Sequence, residues 1–68
     1  MKVFSERLRQ SRKAKNYTQV QMAELLQMRQ QSYTRYENNK GEPNLEILVQ
    51  ICRILEENPA YLLGMEDF

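Results

Sequence analysis

Apolar positions recur along this chain at offsets of three and four, the period of amphipathic helices, in five successive blocks. In the first, Val3 to Lys15, the residues Phe4, Leu8 and Ser11 share one side, while Arg7, Arg9, Arg12 and Lys13 cover the others. Ser5 is a candidate cap for this block, and Asn16 ends it as a residue that tolerates the left-handed conformation. The second, Thr18 to Leu26, opens on a good N-cap and sets Met22, Ala23 and Leu26 against polar Gln21 and Glu24. The third, Arg29 to Glu37, turns Ser32, Tyr33 and Tyr36 one way, together with the preceding Met28. Arg29, Gln30, Gln31, Thr34 and Arg35 face the other way. Ser32 is expected to be buried, and Tyr33 and Tyr36 to fill the core. The fourth follows Asn44, a cap with Pro43 before it and Glu46 in the first turn. Its stripe of Leu45, Leu48, Ile51, Cys52 and Leu55 is expected to be core, with Ile47, Val49 and Ile54 at the flanks. The fifth, Pro59 to Leu63, has Asn58 as its cap, Pro59 at the favoured first position and Gly64 as terminator. The fold class this implies is all-α.

Sixty-eight residues allow one small domain, read here as 1–68 with its core at 4–64. A chain this short buries only about 60% of its unfolded surface, so helix packing or self-association must supply the stability. One cysteine and no histidine exclude a disulfide framework or an ordinary zinc site, and no metal or cofactor is expected. The same absence removes the usual nucleophile–base pairs of an enzyme. Cys52 is read as an inert buried thiol. No apolar run reaches the ~18 residues of a membrane span, and no apolar segment follows the basic N-terminus as in a secretion signal. A cytoplasmic location without membrane contact is therefore expected.

Charge changes the picture through its distribution. The net charge is only +1. Residues 1–40, however, hold nine Lys and Arg against three acids, whereas residues 41–68 hold Arg53 against six acids. One end of the molecule is suited to phosphates and the other is not. The outer face of the third helix sharpens this reading. Glutamine bonds adenine in a bidentate manner, arginine forks onto guanine, and threonine offers a hydroxyl or a methyl contact to thymine. Two short helices, the second displaying such side chains near its start, describe a helix-turn-helix.

Several features together resemble the Cro and phage-repressor type of helix-turn-helix, also called the xenobiotic-response-element type. They are Thr18-Gln19, Met22-Ala23, small Ser32 before large Tyr33, Tyr36-Glu37-Asn38 with Lys40, Glu42-Pro43-Asn44-Leu45-Glu46 and Ala60-Tyr61-Leu62-Leu63-Gly64. The resemblance covers Phe4 to Gly64 and implies a five-helix, lambda-repressor-like domain with the helix-turn-helix at helices 2 and 3. It implies base reading by Arg29, Gln30, Gln31, Thr34 and Arg35, with the two arginines reaching either bases or phosphates. Phosphate contacts fall to Gln19, Asn38 and Lys40; for Gln19, solvation of the first helical turn is the alternative. It also implies that Arg12 pairs with Glu37, either as a partly buried tie between helices 1 and 3 or as an exposed pair.

The chain departs from the family pattern at the turn. Gln27 replaces the usual glycine and Arg29 the usual Ser or Thr cap, so the turn is either strained or shifted. Asn39 stands in place of another glycine, and Glu56-Glu57 in place of Gly-Val. Ile47, Ile54, Tyr61 and Leu62 either close the core or form a dimer surface. The resulting expectation is a regulator of transcription, a repressor by its simplest mechanism, that binds a palindromic double-stranded-DNA operator as a homodimer. The competing expectation is a protein-interaction module or antitoxin that uses the acidic C-terminal half to hold a protein partner.

Overall fold

Five helices carry the chain in the computed structural model, which describes residues 1–68: α1 (Lys2–Ala14), α2 (Gln19–Leu25), α3 (Gln30–Glu37), α4 (Leu45–Leu55) and α5 (Pro59–Leu62). Three of them start as their sequences require. Thr18 accepts from the Gln21 N–H at 3.0 Å while the Gln21 side chain accepts from the Thr18 N–H at 2.8 Å, a reciprocal capping box. Asn44 accepts from the Ile47 N–H and Asn58 from the Ala60 N–H. Helix α3 begins without such a bond, because Arg29 has no acceptor to offer its first turn. Ser5 does not cap α1. The helix starts at Lys2, and Ser5 lies buried one turn inside it, donating to the Tyr36 carbonyl at 2.6 Å. Its hydroxyl docks α1 against α3.

All five helices end the same way. A residue with positive φ follows each (Asn16, Gln27, Asn39, Glu56, Gly64), and the next N–H turns back to a carbonyl five residues earlier. These bonds run Tyr17→Arg12 (3.2 Å), Met28→Ala23 (2.9 Å), Lys40→Arg35 (2.9 Å), Glu57→Cys52 (2.9 Å) and Met65→Ala60 (2.8 Å). They satisfy carbonyls that a helix end leaves open, and they reverse the chain within a few residues. Only Gly64 takes this conformation free of steric cost. The turn at Gln27, φ 56°, is therefore strained rather than shifted. Glu56, φ 52°, occupies a second left-handed site through a long side chain.

The core is Phe4 and Leu8 from α1, Met22, Ala23 and Leu26 around α2, Tyr33 from α3, Ile51 and Leu55 from α4, and Leu62 from α5. Tyr17, Met28, Tyr36, Ile47, Leu48, Cys52, Ile54, Tyr61 and Leu63 pack around it. Leu45 is not core: it is the first residue of α4, beyond the edge of the cluster, and is 79% exposed. The helical period is kept, but the helix outruns what it packs on. Ser32 is half-buried rather than buried, so the small side chain sits at the margin of the α2–α3 contact. No helix is long and apolar enough to cross a membrane.

Candidate nucleic-acid interface

A single carboxylate organises the inner side of the helix-turn-helix. Glu37, the last residue of α3, is 1% exposed, and Arg12, from α1, is 8% exposed. The guanidinium grips the carboxylate with two bonds, Nε to Oε2 at 2.7 Å and Nη2 to Oε1 at 3.0 Å. The buried form of this pair is thus the one present. Tyr33 donates its hydroxyl to Oε2, and Gln19 donates Nε2 to Oε1 at 3.1 Å. Arg12 also donates to the Tyr17 carbonyl, and Arg9 to the Glu37 carbonyl at 2.9 Å, placing a cation at the negative end of α3. No buried side-chain polar atom is left without a partner.

The titration behaviour follows from these contacts. Burial pushes the Glu37 carboxyl upward, but the bonds from Arg12, Tyr33 and Gln19 outweigh it and hold the group below the usual carboxylate range. Burial, then the adjacent Glu37, raises the Tyr33 phenol well above its ordinary value. At neutral pH Glu37 is therefore ionised and Tyr33 neutral, and the carboxylate is met by the cations of Arg12 and Arg9. Cys52 is half-buried rather than buried; burial, then the charge of Glu57, raises its thiol, which keeps it protonated.

The network reaches outward through Gln19. Its Oε1 accepts from the Thr34 hydroxyl at 3.0 Å while its Nε2 donates to Glu37, so both ends of the amide are assigned by their partners. Gln19 is the first residue of α2, where N–H groups lacking helical acceptors and the helix dipole favour an anion. It is consequently more than a solvating side chain: it is a braced one at the positive end of a helix. The hydroxyl of Thr34 is committed to this brace, and the residue is half-buried.

Arg29, Gln30 and Gln31 are exposed at the start of α3 and take no part in the side-chain bonds that fix the inner face. Arg35 lies one turn beyond Gln31 and folds onto the following loop, donating Nη2 to the Lys40 carbonyl at 3.0 Å. Asn38 and Lys40 are exposed there, with Asn39 in the left-handed conformation at φ 57°. The structure thus brings Gln19, Thr34, Glu37 and Arg12 into one connected group, and leaves Arg29, Gln30 and Gln31 projecting from it. Sequence reasoning overlooked Arg9 and the Tyr33 hydroxyl. A tyrosine four residues before a buried glutamate was the available signal.

A model of the helix-turn-helix family matches residues 8–62. The chain belongs to the helix-turn-helix family, in its Cro and phage-repressor type. It is similar to the cryptic phage CTXphi transcriptional repressor RstR of Vibrio cholerae, with 46% identity over 90% of this chain and 54% of the repressor. It is also similar to the SPbeta prophage-derived HTH-type transcriptional regulator YonR of Bacillus subtilis, at 39% over 90% of this chain and 56% of that regulator. The HTH-type transcriptional activator BcrR of Enterococcus faecalis is 38% identical over 94% of this chain and 31% of the activator. The chain thus spans little more than half of the first two relatives and a third of the last. No solved structure matches it significantly. The family is one of transcriptional regulators rather than enzymes.

Proposed function

We propose that the chain binds double-stranded DNA in a sequence-specific manner, as a transcription regulator acting in a homodimer on a two-fold symmetric operator. The observation that carries this reading is the contrast across α3: Gln30 and Gln31 are exposed and uncommitted, while Tyr33 and Glu37 behind them are fixed. Such a helix enters a major groove with its N-terminal side chains against base edges. Gln30 and Gln31 read bases, Arg29 reaches guanine or phosphate, and Thr34, its hydroxyl engaged, offers its methyl group. Gln19, Asn38 and Lys40 hold the backbone and set the register. Occlusion of polymerase is the simplest route to repression. Relatives named as a repressor and as an activator both align with this chain, so the reading accommodates either sign of regulation.

One short helix reads only a few base pairs, and pairing two readers multiplies specificity. Of the residues considered for the dimer surface, Leu62 is wholly buried and belongs to the core. Ile47, Ile54 and Tyr61 are half-buried against it. The stronger candidate surface is the outer side of α4, where Leu45 is 79% and Val49 47% exposed beside half-buried Leu48 and Cys52. Arg53 and Glu57 flank this apolar strip with both signs of charge, a pattern compatible with a surface that meets its own copy.

Selection of binding sites from random duplex DNA, followed by sequencing, tests the proposal. The expected product is a two-fold symmetric motif with half-site centres about 34–36 Å apart. No enrichment at low or moderate salt would remove base reading by α3, and would turn attention to a protein partner on the exposed strip of α4.

A further inference from the structure

Arg35 shares a helix face with Gln31, four residues before it, so position alone leaves its guanidinium free to reach DNA. Its contacts point elsewhere. The Arg35 carbonyl accepts from the Lys40 N–H at 2.9 Å, and the Arg35 Nη2 donates to the Lys40 carbonyl at 3.0 Å. Both backbone polar groups of Lys40 are therefore held by one residue. The guanidinium also passes over Gly41, where an added Cβ would lie 3.8 Å from Nε.

The ends of α1 and α2 are anchored differently. In each of those helix ends, the residue after the left-handed position is apolar, Tyr17 or Met28, and packs against the core. That apolar contact is a usual companion of this type of helix end. At the end of α3 the equivalent residue is Lys40, which is exposed. Its loop has no core anchor at that point: the N-terminal ammonium holds Asn39 and Glu42 on either side, at 2.8 Å each, and the Arg35 side chain supplies the attachment at Lys40 itself.

We infer that Arg35 is a positioning residue for the DNA-backbone contact of Lys40, and not a base reader. The inference rests on the DNA-binding reading above. By fixing the Lys40 peptide groups, Arg35 leaves only the lysine side chain to be ordered when a phosphate is met, which lowers the entropic cost of the contact. A residue acting this way carries no sequence information.

The test is binding of the full chain to the selected operator and to a random duplex of equal length, across a salt series. The proteins are wild type, Arg35→Ala, Lys40→Ala and the double variant, with melting temperature as a folding control. Arg35→Ala should weaken both duplexes by the same several-fold factor, leave the base preference unchanged and flatten the salt slope towards that of Lys40→Ala. The double variant should bind no more weakly than Lys40→Ala, because coupled residues are not additive. Arg35→Lys should recover most of the loss, since one donor suffices for the Lys40 carbonyl. A changed preference at one base pair would overturn the inference by making Arg35 a reader. Additive losses would overturn it by giving Arg35 its own backbone contact. Failure of the wild type to bind either duplex would instead overturn the DNA-binding reading on which it rests.

Discussion

On one side of α3, Tyr33 and Glu37 have every polar atom engaged and almost no exposed surface; on the other, Gln30 and Gln31 are exposed and uncommitted. The two faces are built from similar polar chemistry and put it to opposite use. A buried carboxylate is tolerated only when hydrogen bonds and a counter-charge replace its water, and Glu37 receives both. An exposed glutamine loses little by leaving water if a base edge offers two bonds in return. Fixing the inner face is what lets the outer face present a defined geometry, because a reader must be held rigidly to discriminate.

The sharpest way to break this comparison is to remove the inner anchor. Glu37→Ala leaves the Arg12 guanidinium buried without its partner and should lower stability by about 3 kcal/mol. In a domain of this size each 1 kcal/mol lowers the melting temperature by roughly 4–8 °C, so thermal unfolding will read the change directly. A loss of under about 1 kcal/mol would mean that the pair behaves as an exposed one. Protonation approaches the same site from another direction. The folded Glu37 carboxyl is held below its ordinary value. Its contribution is therefore complete above the unfolded value of about 4.3 and is lost as pH falls through the lower, folded value. Denaturant midpoints measured against pH should fall over that acid range in the wild type and fall less in Glu37→Gln.

On the outer face the expected signs reverse. Gln31→Ala should cost about 1–3 kcal/mol of binding to the selected site and relax the base preference there. Stability should stay within about 0.5 kcal/mol, since nothing in the fold depends on that side chain. Equal weakening of specific and random duplexes would make Gln31 a backbone contact and erase the distinction between the faces.

The smallest effects lie in the turns. Gln27→Gly should raise stability by about 1 kcal/mol, because glycine takes positive φ without the penalty of a Cβ. Glu56→Gly should gain less. Glu56 also meets Lys15 at 3.4 Å in an exposed pair worth about 0–1 kcal/mol, which the change removes. Chemical denaturation of the two variants measures both increments. No gain at Gln27 would mean that its side chain offsets the strain through contacts not evident from the fold.

What the sequence made legible divides along the same line. Local signals carried through: caps at Thr18, Asn44 and Asn58 and the left-handed residue Asn16 follow from near neighbours, whereas the missing cap at Arg29 and the glycine-like position of Asn39 were legible through the family pattern. The Arg12–Glu37 tie was legible through family resemblance, since the partners stand 25 residues apart. Three-dimensional limits were not legible. Periodicity put Leu45 in the core because it cannot say where the packed surface stops. Ser5 looked like a cap because a serine near a helix start usually is one, and only the position of Tyr36 gives it a carbonyl to dock against. Thr34 and Arg35 carry the side chains of base readers. Their engagement with Gln19 and Lys40 depends on how α2 and the loop return to α3.

The most direct measurement is the affinity of wild type and Gln31→Ala for every single-base variant of the selected operator at fixed salt. The expected result is that the variant loses discrimination at one base pair in each half-site and keeps the wild-type preference at all others. A uniform loss across every position, or a profile unchanged from wild type, would contradict base reading by the outer face of α3.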